Sequence, residues 1–141
     1  MFSINDSLQG NLFSVNDVSG LPILEVYSDS TVLIGEYLAP SLYTTKKTTV
    51  GTTSVDIYSF ATSSYDGAYI DYTIKKSGDS RSGNLVSNWN GSNVEYYENS
   101  TIDIGSTTGF TFSFVISGTY AVLRAEAPSA GWTVKTIIRS I

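Results

Sequence analysis

Histidine and cysteine are both absent from the 141 residues. Imidazole-based triads, thiol nucleophiles, Cys/His zinc sites and disulfides are removed together. Paired carboxylates are the acid–base device that remains. The candidates are Asp66 and Asp71 in and after one turn, Glu95 and Glu98 around Tyr96-Tyr97, and Asp103 before Ile104-Gly105. Asp71 and Glu95 fall at outward positions of alternating strands, where solvation accounts for a carboxylate. Serine is abundant, yet no Gly-x-Ser-x-Gly elbow and no Ser-x-x-Lys set is present to activate one. The stretch Gly78–Gly83 lacks the Gly-Lys-Ser/Thr ending of a phosphate loop and reads as a hairpin loop. The expectation is therefore a protein that is not an enzyme and that carries no cofactor.

Two binding chemistries stay open. Asn5-Asp6, Asn16-Asp17 and Asp29 offer hard oxygen donors of the kind calcium takes, but without EF-hand spacing, and as turn formers they need no metal. Tyr65 and Trp89 lie near loops, and Tyr96-Tyr97 places two rings on opposite faces of one strand. These four are the candidate glycan contacts, because aromatic rings stack on sugars. Core filling and cross-strand pairing are the competing explanation for the same residues. Asn5, Asn90 and Asn99 match the glycosylation acceptor pattern. The first residues show no basic stretch followed by an apolar one, so no secretory signal is expected and these matches read as chance.

These side chains must be held by strands. Hydrophobic residues make up 41% of the chain and charged ones 15%, enough apolar surface for one globular domain. The 22 Ser and 16 Thr, with 12 Gly and 10 Tyr, favour strands and turns over helices. A net charge of −5 argues against nucleic acid as a partner. The absence of any run of about 18 apolar residues argues against membrane insertion.

Three stretches differ in texture. Residues 1–39 are apolar and weakly repetitive: Phe2-Ser3-Ile4-Asn5-Asp6 returns as Phe13-Ser14-Val15-Asn16-Asp17, with Gly10 and Gly20 each four residues past the Asp, and Val26-Tyr27-Ser28-Asp29 as a looser third copy. Residues 40–54 are a Thr-rich connector, suited equally to an extended linker or an edge strand. Residues 55–141 alternate with period two. Ala68, Ile70, Tyr72 and Ile74 are set inward, as are Phe110, Phe112, Phe114 and Ile116, then Ala121, Leu123 and Ala125, then Trp132, Val134 and Ile138. Asn90-Gly91 is the best hairpin turn. About seven short strands at this spacing predict an all-β fold, an antiparallel β-sandwich of jelly-roll-like type, preceded by a short β-structured N-terminal assembly segment.

The N-terminal segment displays Phe2, Ile4, Leu12, Phe13, Val15, Ile23, Leu24, Val26, Val32 and Ile34 without enough partners nearby in sequence. Burying each is worth about 1.5–3 kcal/mol. Phe2, Ile4, Leu12, Phe13, Val15, Leu24 and Val26 are the candidate oligomer contacts. In one arrangement three chains bury them around a common axis, with the eleven-residue repeats as stacked layers of a stalk. In the other they add strands to the sandwich of their own chain. The trimer is the expectation.

The segment Leu12-Phe13-Ser14-Val15-Asn16-Asp17-Val18-Ser19-Gly20-Leu21-Pro22-Ile23-Leu24-Glu25-Val26-Tyr27-Ser28-Asp29 resembles one found in virion structural and tail-fibre-type proteins of tailed bacteriophages, notably marine and cyanobacterial ones. Ser64–Thr73, Arg81-Ser82-Gly83-Asn84 and the closing Gly131-Trp132-Thr133-Val134-Lys135-Thr136-Ile137-Ile138-Arg139-Ser140-Ile141 resemble the β-domain that ends many of them. The resemblance implies a non-enzymatic component of the virion, homotrimeric and with a distal β-sandwich. The expectation is a fibre, spike or capsid decoration with other virion proteins as partners; the alternative, resting on the four aromatics, is a module that binds a host cell-surface glycan.

Overall fold

The computed structural model describes residues 2–4, 9–37 and 39–141, without the side chains of Phe2 and residues 45–47. The described chain is all-β. The strands are β1 (Phe2–Ile4), β2 (Asn11–Asn16), β3 (Pro22–Tyr27), β4 (Val32–Glu36), β5 (Ala39–Val50), β6 (Val55–Ala61), β7 (Gly67–Lys76), β8 (Asp79–Trp89), β9 (Val94–Ser100), β10 (Thr111–Ser117), β11 (Tyr120–Glu126) and β12 (Trp132–Ser140). They form a nine-stranded sheet in the order β1-β2-β3-β4-β5-β12-β7-β8-β9 and a three-stranded sheet in the order β10-β11-β6. All pairings between these strands are antiparallel.

The sandwich lies where the short sheet covers the C-terminal half of the long one. Period-two alternation puts Ile70, Ile74, Leu85, Val134 and Ile138 inward from the long sheet, against Phe60, Phe112, Phe114 and Leu123 from the short one. Every inward position expected from alternation over residues 68–138 is buried, apart from Ile116, which is partly buried against the core. Asn90-Gly91 turns β8 into β9, with the Asn90 N–H donating to the Asn93 carbonyl at 3.0 Å and Gly91 at φ +73°. The turn from β7 to β8 is shorter than the expected loop over 78–83. Lys76 pairs directly with Asp79, so Ser77-Gly78 alone makes the turn and Ser80–Gly83 extend β8.

The Thr-rich connector is neither a linker nor an edge. Residues 40–50 belong to β5, the fifth strand of nine, which pairs with β4 on one side and β12 on the other. β-Branched Thr suits this place, since both ladders satisfy its backbone polar groups. One continuous ladder therefore joins the N-terminal strands to the sandwich.

The two best copies of the repeat are β1 and β2, and they pair with each other: Phe2 faces Val15, Ser3 faces Ser14 and Ile4 faces Phe13. They are neighbours in one sheet rather than stacked layers. An antiparallel partner takes up the edge hydrogen bonds of an adjacent strand at the cost of one short turn, whereas stacked repeats need a new turn and a second sheet. Asp17 serves the β2–β3 turn, its Oδ1 accepting from the N–H groups of Ser19 at 2.8 Å and Leu21 at 2.9 Å. Asp29 accepts likewise from Thr31 at 2.9 Å. Both carboxylates act as Asx-turn acceptors. Asn5-Asp6 lies outside the described residues.

Candidate functional site

Directly opposed residues of an antiparallel pair share one face of the sheet. Following partners from strand to strand gives a single row: Val15, Leu24, Ile34, Leu42, Arg139, Tyr69, Val86 and Tyr97. The backbone of Phe2 continues it at β1, and the Phe2 side chain lies outside what the structure describes. The row crosses the whole long sheet on the side away from the three-stranded sheet. Seven of its eight described members are apolar or aromatic. The exception, Arg139, holds its guanidinium 5.2 Å from the centre of the Tyr69 ring, an arrangement that suits a cation.

Beside this row, Ile4, Phe13, Val26 and Val32 occupy the same face of β1–β4. Among the described residues no second layer covers them, and of the described side chains of β1–β4 only Ser14 is buried. The expected contacts Ile4, Phe13, Val15, Leu24 and Val26 are thus brought together on one uncovered face. Leu12 does not join them by pairing, because the β2–β3 register shifts between Asn11 and Phe13 and leaves it unpaired. Ile34, Leu42, Tyr69, Val86 and Ile137 belong to the face and are absent from the expected set. Their signal in the sequence is an apolar residue at an outward position of a strand, which alternation alone can flag.

The four aromatic candidates do not share a surface. Trp89 is buried, its ring 5.2 Å from that of Phe60, and its Nε1–H donates to the Tyr65 carbonyl. Tyr65 is buried too. Burial first, then the Glu36 carboxylate, pushes its hydroxyl pKa up, and among the described residues the hydroxyl has no hydrogen-bond partner. Both look loop-proximal in the sequence, but residues 66 and 67 fold back to donate to the Ile141 carbonyl, which closes that end of the core. Tyr96 turns inward onto Phe114, with ring centres 5.4 Å apart. Tyr97 alone projects outward, 69% exposed, on the face opposite the core.

Two of the candidate carboxylates, Glu98 and Asp103, belong to one hydrogen-bonded network. Glu98 accepts from Arg81 at 3.0 Å and from the Tyr72 hydroxyl. Arg81 also donates to the Tyr72 oxygen at 3.2 Å and to Thr107 Oγ1 at 3.1 Å. Thr107 in turn donates through N–H and Oγ1 to Asp103 at 2.9 and 2.7 Å. These bonds, from the Thr107 side chain first, hold the Asp103 carboxyl below its usual pKa. Burial, followed by the bond to Glu98, pushes Tyr72 up to about 12. The network pins the 101–110 connection beneath β8. Asp71 and Glu95 are exposed, as alternation predicts. Among the described residues no group of three or more Asp or Glu side chains is placed to hold a metal ion.

No protein-family model and no curated protein matches the chain. Among solved structures, the chain is similar to the tailspike protein of an Acinetobacter phage, at 21% identity and a TM-score of 0.37, over 68% of this chain and 22% of that one.

Proposed function

We propose that this chain is a non-enzymatic structural protein of a bacteriophage particle, a fibre, spike or decoration component whose N-terminal strands assemble copies while the sandwich is presented at the surface. The observation that carries the reading is the uncovered apolar face of β1–β5, formed by Ile4, Phe13, Val15, Leu24, Val26, Val32, Ile34 and Leu42. A soluble chain that leaves such a face in water gives up the burial energy of each of these side chains. The resemblance of Leu12–Asp29 and Gly131–Ile141 to segments of virion and tail-fibre-type proteins supports the same reading.

A homotrimer is the assembly this face suits. Five strands about 4.8 Å apart make a face roughly 20–24 Å wide. Three such faces around an axis leave roughly 6–7 Å from each sheet to the centre, a gap that Leu, Ile and Phe side chains fill, given that packed sheets sit about 10 Å apart.

Electron microscopy of purified particles, with the protein identified in the map and by mass spectrometry, tests the function. Its presence at a defined surface position in multiples of three is the expected result. Its absence from washed particles overturns the reading.

A further inference from the structure

All of the formal net charge lies in residues 1–39. Residues 1–39 hold five carboxylates and no Lys or Arg, while residues 40–141 hold eight of each sign. Two of the N-terminal carboxylates, Glu25 and Glu36, line one groove together with Ile23, Tyr27, Leu33 and Tyr37. Ile23 and Tyr37 are exposed there, so the groove combines negative charge with apolar surface.

The sandwich carries the opposite character. Lys75, Lys135 and Arg139 stand on the outer face of β7 and β12, all exposed; Asp71, opposite Ile137, is the one carboxylate of these two strands on that face, and among the described residues no ion pair joins any of the three cations. Lys75 and Lys135 line a shared depression with Thr73 and Thr133. The half-exposed Ile137 and Tyr69 lie beside them.

These two surfaces cannot meet within one chain. The cross-strand partners of Glu25 run through Leu33 and Tyr43 to Ile138, which is in the core. Glu25 therefore lies on the side of the sheet opposite Ile137 and Lys135. We propose that the cationic outer face of β7 and β12 docks a second copy of this chain through that copy's acidic Glu25/Glu36 groove, a head-to-tail contact in which each copy gives one surface and receives the other. The contact rests on the oligomeric reading above and deepens it.

Three-fold assembly brings these surfaces toward each other. When the apolar face of β1–β5 looks at the axis, the same sheet continues past the corner as β12-β7-β8-β9. Its outer face then looks toward the back of the neighbouring chain's N-terminal strands, where Glu25 lies. The twist of about 20–25° per strand pair turns it further from the plane of the N-terminal face. A contact of this kind is heterologous, and three copies close it into a ring.

The absence of a sign match within one chain supplies the test. Sedimentation of the full chain, followed by circular dichroism to confirm folding, is compared for Lys75→Glu/Lys135→Glu, for Glu25→Lys/Glu36→Lys, and for all four changes in one chain. Each single-patch variant is expected to associate at least about tenfold more weakly at low salt, and the combined variant, with both signs reversed, to regain association. Raising the salt from about 50 mM to about 1 M should weaken the native chain's association and leave the single-patch variants nearly unchanged. Association that is equal in all four proteins and insensitive to salt overturns the charged contact while leaving assembly through the apolar face intact. Absence of the protein from washed particles, with the charge-reversal pattern observed, overturns the virion reading and leaves the contact standing. A native chain that is monomeric at every salt concentration overturns the contact.

Discussion

The Tyr96 hydroxyl donates a 2.9 Å hydrogen bond to the main-chain oxygen of Phe112, tying the edge strand of the long sheet to the edge strand of the short one. Its neighbour Tyr97 points the other way and makes no such tie. One strand thus carries a lock on its inner face and an open ring on its outer face. Tyr96→Phe should cost about 1 kcal/mol, the worth of a typical hydrogen bond, which is roughly 2–4 °C in Tm for a domain near this size. Tyr97→Ala should stay within about 0.5 kcal/mol. Thermal unfolding of the two variants checks the contrast, and equal losses would contradict the orientation of β9.

The two ion pairs differ in what they are worth. Arg81 and Glu98 are mostly shielded, with side-chain exposures of 15% and 28%, whereas Arg124 and Asp56 show 35% and 57%. Glu98→Ala leaves the Arg81 guanidinium and the Tyr72 hydroxyl short of a partner and should cost about 3 kcal/mol. Asp56→Ala should cost no more than about 1 kcal/mol. Urea unfolding midpoints of the two variants decide the comparison.

Alkaline stability follows from Tyr58 and Tyr72, both pushed up to about 12, chiefly by burial. A tyrosine in the unfolded chain ionises near 10. The folded state therefore holds the proton more tightly, so the stabilisation is complete below about pH 10 and is lost as pH rises toward 12. Unfolding followed from pH 9 to 12 should show this decline. Tyr58→Phe should make it shallower, because the residue that must ionise on unfolding is gone.

In acid the sign is reversed. Asp103 has a lowered pKa because Thr107 donates to it twice. Its contribution is present above the unfolded carboxyl pKa and is lost as pH falls through the lower folded value. Thr107→Val removes the side-chain donor, and a carboxyl titration by NMR should show the Asp103 pKa rising toward its ordinary value.

Gly83 is required for the approach of β8 to β9. A Cβ there would meet the Asn99 carbonyl and the Tyr72 hydroxyl, whereas a Cβ at Gly78 meets nothing within 4 Å. Gly83→Ala should destabilise by about 2 kcal/mol or more, because main chain rather than a flexible side chain blocks it. Gly78→Ala should be nearly neutral. Paired unfolding curves separate the two.

Alternation makes the sandwich core legible in the sequence alone. A strand has a period of two, so Ile70, Phe112, Leu123 and Val134 are marked as inward by their own neighbours in sequence. The apolar excess of the first 39 residues was legible for the same reason. Strand order was not. Which edge a strand joins depends on hydrogen-bond partners far along the chain, and nothing within residues 40–50 tells a central strand from a linker. The site residues show the same division. Tyr65 and Trp89 look like loop aromatics in one dimension, and only the folded-back contacts of residues 66 and 67 with Ile141 put them inside. Tyr69 and Val86 look like stray outward apolar residues until register lines them up with Leu24 and Ile34. Sequence by itself determined the local pattern of faces, because that pattern is set within each strand. The tertiary structure decided which faces became continuous and which stayed uncovered, because pairing between distant strands, and not composition, fixes what lies beside what.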